Sequence, residues 1–181
     1  MNIFRGRDKE KKVKTYLGDN VRITKNRLTK IPERVKEIDA YPASLKDGTI
    51  PVTEENVELT FKEFFSEHKE VFEIEPGDLK LVSAKKINKR WYVKYRQYYK
   101  GIPVHNATVG LDSAENGKVG SYAANYHPDI KVTTKPSVSL DDATNIALKT
   151  YKKKGRPKLN RKDDILIIYP EKVKEKIGQM K

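Results

Sequence analysis

The chain has no cysteine in its 181 residues, which excludes disulfides, zinc–thiolate sites and cysteine nucleophiles. No apolar run approaches the roughly 18 residues that a membrane-spanning helix needs. The opening stretch MNIFRGRDKEKKVK lacks the apolar core of a signal peptide, so no secretory signal is expected in the sequence as it stands. Also missing are a Gly-x-Ser-x-Gly nucleophile elbow and a glycine-rich phosphate loop. With these absent, nothing forms an enzyme constellation, and no cofactor is expected.

Charge is abundant: 35% of residues are ionic against 36% hydrophobic, and the formal net charge is +13. That excess invites a nucleic-acid reading, so its distribution matters. Residues 1–40 carry net +6, 41–78 carry −7, 79–129 carry +6 and 130–181 carry +8. An acidic block between basic ones suits charge matching within the protein at least as well as a phosphate-binding stripe. Nucleic acid is therefore the disfavoured partner.

Residues 1–45 read as a basic, partly extended arm, with short β-like pieces in VRITKNRLTKIPERVKEI and Pro32 breaking any long helix. A helix is expected from Thr53, with Glu54 and Glu55 in its first turn and Pro76-Gly77 as the stop. Val57, Phe61, Phe64, Phe65, His68 and Phe72 fall on one stripe of it. His68 on that stripe reads as a core or boundary residue.

From Leu79 the period changes to two. LKLVSAKKI, a turn at Asn88-Lys89 and RWYVKYRQYY make a hairpin, with Trp91, Val93 and Tyr95 alternating against Tyr92, Lys94 and Arg96. The corner Lys100-Gly101-Ile102-Pro103 leads into VHNATVGLD, and Asn116-Gly117 turns the chain into VGSYAANYHPD. Gly101 lets the backbone bend without a Cβ clash, and Pro103 withholds an amide donor from an edge. The expected fold class is α+β: a four-stranded antiparallel meander packed against a helix, then a second helix and a strand.

That second helix starts at Ser139, with Asp141 and Asp142 in its first turn, a Val138–Ala143 staple and an apolar stripe of Ala143, Ile146, Ala147 and Tyr151. Gly155 ends it, and DILIIYP is the strand that follows. The run YKKKGRPKLNRK reads as a solvated helix end. The carboxylate pairs Glu54-Glu55 and Asp141-Asp142 are explained by first-turn placement, and Asp163-Asp164 by a turn. His105, His127 and Asp129 lack the short spacing of metal ligands, so no metal site is expected.

The stretch VKYRQYYKGIPVHNATVGLDSAENGKVGSYAANYHPDI resembles the propeptide of thermolysin- and fungalysin-type metallopeptidases. It has an aromatic-rich strand, a Tyr-x-Gly-Ile-Pro-Val corner, an Asn-Gly-Lys-Val turn and a strand ending in Pro-Asp. SVSLDDATNIALK and DILIIYP look like the start of the PepSY module that follows the fungalysin/thermolysin propeptide (FTP) module. The resemblance implies an FTP-like domain at 46–130, a partial PepSY-like helix–strand module at 131–181, and the arm before them. It departs from a complete protease in having no His-Glu-x-x-His, and the PepSY half stops after one strand.

The resemblance implies a non-catalytic module that binds a peptidase domain, in cis or in trans, and inhibits it or assists its folding. It also implies export, to the cell surface or beyond. The expected partner-binding motif is Tyr98, Tyr99, Gly101, Ile102, Pro103 and Val104, where rigid aromatics and a sheet edge meet. Two other readings stand beside it: a basic nucleic-acid-binding module and a cell-surface protein-interaction domain. The final strand, if unpaired, opens a route to a homodimer by strand exchange.

Overall fold

The computed structural model describes residues 13–27, 29–46, 50–150 and 165–170. Tyr151, Gly155, the run YKKKGRPKLNRK and Asp163-Asp164 lie outside them, as does most of the basic N-terminal start. Six strands form one fully antiparallel sheet in the order β1-β2-β6-β5-β4-β3. They are β1 (Arg22–Lys25), β2 (Pro32–Ala40), β3 (Leu79–Ile87), β4 (Arg90–Tyr99), β5 (Ile102–Ala114) and β6 (Val119–Asn125).

The meander expected between residues 79 and 125 is present as β3–β6, but the sheet is wider than four strands. The arm supplies β1 and β2, and β2 lies beside β6, with Val35 opposite Tyr122. The reason is burial. Val35 and Ile38 are almost fully enclosed, and only a place on the shared apolar face provides that enclosure.

Over this face lies α1 (Val57–Glu67), with a short second helix α2 (Lys69–Phe72). Thr53 and Asn56 exchange hydrogen bonds at its start: the Thr53 N–H donates to Asn56 Oδ1 at 2.8 Å, and the Asn56 N–H donates to Thr53 Oγ1 at 3.3 Å. These bonds close a turn at residues 53–56 ahead of the helix, whose N-cap is Asn56 and whose first-turn acid is Glu58, so Thr53, Glu54 and Glu55 precede the helix rather than opening it as expected. The single helix expected as far as Pro76 breaks at His68. Both the His68 backbone N–H (3.2 Å) and its ring Nδ1 (2.8 Å) donate to the Phe64 carbonyl, and Glu73 ends the second piece at φ 54°.

Phe61, Phe64, Phe65 and Phe72 pack with Trp91, Val93, Tyr95, Val109, Leu111 and Tyr122 in one core cluster. Each such side chain contributes about 1.5–3 kcal/mol relative to exposure. Polar tips inside it are satisfied: Trp91 Nε1 donates to the Val52 carbonyl at 3.1 Å, and the Tyr95 hydroxyl to that of Glu58 at 3.1 Å. At the β5–β6 turn, Gly117 sits at φ 84° against Leu45, whose Cδ1 would lie 2.3 Å from any added Cβ. Of the Asn-Gly pair, only Gly117 adopts positive φ.

After β6 the chain reaches α3 (Leu140–Thr150), capped as expected by Ser139, whose Oγ accepts from the Asp142 N–H at 3.1 Å. None of its residues is buried, and Ile146 is 56% exposed. The expected final strand is reduced to one parallel bridge, Val104 to Ile168.

Candidate functional site

The corner at residue 100 is a two-residue hairpin turn. Tyr98 pairs with Pro103 and Tyr99 with Ile102, while Lys100 and Gly101 both take positive φ, 48° and 82°. Two successive left-handed residues give the turn whose twist matches antiparallel strands, and glycine adopts one of those positions without cost. The expected motif thus gathers at one hairpin tip, though its members differ in exposure. Tyr98, Tyr99, Ile102 and Pro103 are half-buried, Gly101 is exposed, and Val104 is 1% exposed. Lys80 Nζ stands 4.3 Å over the Tyr98 ring and Lys100 Nζ 5.2 Å over that of Tyr99.

Just past the tip, β4 and β5 lose register. Arg96 faces Thr108 but Tyr98 faces Pro103, so Gln97 alone spans residues 104–107 of β5, where Asn106 sits at φ 54°. Such bulges bend a strand and re-aim its edge. Meanwhile β6 pairs with β5 only from Thr108 onward. The opposite edge of residues 103–105 is therefore open, and Ile168 fills it. The Ile168 N–H donates to the Pro103 carbonyl at 3.0 Å, and the His105 N–H donates to the Ile168 carbonyl at 2.8 Å. The His105 ring stacks on Tyr169 with centroids 4.9 Å apart. The strand expected to be unpaired is thus paired within the chain, because the bulge leaves β5 an edge for it.

On the other side of the bulge is a cleft of about 470 Å³ lined by Lys69, Glu75, Asp78, Tyr99, Tyr126 and His127, among others. Gln97, 1% exposed, closes its floor through hydrogen bonds to the His127 backbone. The Tyr126 hydroxyl accepts from the Glu75 N–H at 3.2 Å and donates to Asp78 Oδ2 at 3.4 Å. Burial raises the Asp78 carboxyl above its ordinary range; the Tyr126 bond opposes that shift and Glu75 adds to it. Burial also pushes Tyr126 up to about 12 and lowers the His127 imidazole.

Among the described residues no group of three or more His, Asp or Glu could hold a metal ion. His68, at the break between α1 and α2, is buried, as its place on the apolar stripe predicts. The cleft, Gln97 and Tyr126 were not singled out from sequence. One signal was there: Gln97 occupies the buried parity of Trp91, Val93 and Tyr95, where a polar residue needs a dedicated partner.

A sheet built this way, with its tight hairpin tip and aromatic strand, has a counterpart among known protein families. Residues 78–126 match the Fungalysin/Thermolysin Propeptide Motif. The matched segment runs from the end of the acidic helical region through β3, β4, β5 and β6, and it contains the whole hairpin tip. The propeptide motif is a propeptide module and not a catalytic domain. No significant match is found among the curated proteins. Among solved structures the chain is similar to the Bacillus megaterium YpeB C-terminal domain, at 14% identity, 77% of this chain and 73% of that chain covered, and a TM-score of 0.39. No helix among the described residues is long and apolar enough to cross a membrane.

Proposed function

We propose that the chain is a non-catalytic, propeptide-like module that binds a thermolysin-like metallopeptidase domain and inhibits it or assists its folding. The observation that carries this reading is the match of residues 78–126 to the propeptide motif, over a sheet with one apolar face filled and the other open to solvent. In this reading the hairpin tip makes part of the contact. Tyr98, Tyr99, Ile102 and Pro103 offer rigid surface that loses little side-chain entropy, Gly101 sets the bend, and Val104 anchors the strand from inside. Residues 131–181 act as the partial PepSY-like partner of that domain, and the protein works outside the cytoplasm, beside an exported peptidase.

The test is direct. A purified thermolysin-like peptidase is titrated with the chain, while peptide hydrolysis, binding heat and the yield of peptidase refolded from denaturant are followed. Binding at micromolar Kd or tighter, with either lost hydrolysis or raised refolding yield, is the expected result. Absence of binding at that concentration overturns the reading.

A further inference from the structure

The sheet face away from α1 has a composition that its strands' individual sequences do not reveal. Cross-strand register sets Arg34 beside Ala123, Ala123 beside Gly110 and Gly110 beside Lys94. The next row runs Lys36, Ser121, Asp112, Tyr92 and Lys85, and a third places Arg96 between Thr108 and Lys80. The two central strands, β5 and β6, thus present small side chains. The flanking strands present Arg34, Lys36, Lys80, Lys85, Lys94 and Arg96, all exposed.

None of those six cations has a carboxylate partner among the described residues. The acids nearby are already engaged: Asp112 with Arg90 and Ser121, and Glu37 with Arg22. Gly120 is part of this arrangement, since a Cβ there would lie 2.5 Å from Arg90 Nη2. The result is a floor between two cationic walls, low at Gly110 and Ala123 and crossed at its Gly120 end by the Arg90 guanidinium.

The geometry points to this trough as the docking site for an acidic α-helix of the partner protein, a step that rests on the peptidase-binding reading above. Charge selects the sign: arginines and lysines with no carboxylate partner among the described residues stand on both walls and favour carboxylates between them. Width selects the shape. Strands β2 and β4 are three strand spacings apart, about 14 Å, and an α-helix with its side chains is about 10–12 Å across. A single-stranded nucleic acid fits less well. Tyr92, 45% exposed, accepts a hydrogen bond from Arg90, and Tyr98 lies under Lys80, whereas stacking of successive bases needs several free platforms, and Asp112 lies in the floor where phosphates would pass.

The experiment compares the full chain with Arg34→Glu/Lys94→Glu/Arg96→Glu, with the same three sites changed to Gln, and with Lys135→Glu as an exposed control on the loop before α3. Probes are a stapled Glu-rich helical peptide, its Lys-rich counterpart, a mixed-sequence single-stranded RNA and a thermolysin-like peptidase. The wild type and the control bind the Glu-rich helix and the peptidase. Charge reversal weakens both by roughly 10-fold or more at low ionic strength and by less at high salt, and the Gln variant falls between. Unchanged melting of the variants shows that they fold; if the Glu variant does not, the Gln variant carries the comparison.

Undiminished peptidase binding by the reversed variant overturns this inference and leaves the propeptide reading standing. Loss of Glu-rich helix binding on reversal, with no peptidase binding by the wild type, upholds the trough and removes the peptidase. Tighter binding of RNA than of the Glu-rich helix, or self-association of the wild type that charge reversal abolishes, gives the face to another occupant and overturns the inference.

Discussion

Gln97 acts as a strand partner for His127 although the two lie in different segments. Its Nε2 donates to the His127 carbonyl at 2.7 Å, and its Oε1 accepts from the His127 N–H at 2.9 Å. A side-chain amide has the same donor and acceptor pair as a peptide group, so it continues the ladder beyond the end of β6. Replacing Gln97 by Leu keeps the volume but leaves both His127 backbone groups without their partner. The expected cost is about 2 kcal/mol, read as a lower denaturant midpoint with unchanged slope.

The contact at Ile168 has a different weight. Two backbone hydrogen bonds and one ring stack hold residues 165–170 against β5, and Ile165 and Tyr169 remain 67% and 69% exposed. Ile168→Pro removes the N–H that bonds Pro103 and opens this edge. Exchange of the His105 amide then accelerates, while the Val109 and Leu111 amides keep their protection, and global stability falls by no more than about 1 kcal/mol. Loss of protection throughout the sheet would show the segment to be part of the core.

Alkaline pH tests the buried tyrosines. Burial raises Tyr95 and Tyr122 above the ordinary phenol range and Tyr126 to about 12, from an unfolded value near 10.0. A folded pKa above the unfolded one stabilises the fold fully below pH 10, and that stability is lost as pH rises through the folded value. Melting points therefore drop from pH 10 upward, and Tyr126→Phe removes the part lost between 10 and about 12. A flat profile over this range contradicts the burial of Tyr126.

Much of this architecture could be read from the chain, and the unread parts share a cause. The β3–β6 meander is written locally: period-two alternation and positive-φ turns at Asn88-Lys89 and Lys100-Gly101. What depends on distant residues was less visible. The place of β2 beside β6 depends on Val35 meeting Tyr122, and the bridge at Ile168 depends on a bulge that arises from pairing. The break at His68 comes from a ring hydrogen bond that no periodicity announces. At the candidate site, the hairpin tip was found from its Gly-Ile-Pro corner. The cleft and the cationic rows needed register, because neighbours on a sheet face are not neighbours in sequence.

The position of β2 next to β6 also bears on how the protein is made. Residues 32–40 leave the ribosome long before residues 119–125, the strand they must join. Until then β2 has only the short strand β1 to pair with, and an isolated two-stranded ribbon is marginal in water. The local meander is able to form first, and the first-synthesised strands then close onto its last one. An early segment thus waits for its place until the last strand of the meander is made, a late joining of the kind that slows folding and exposes an apolar strand to wrong neighbours.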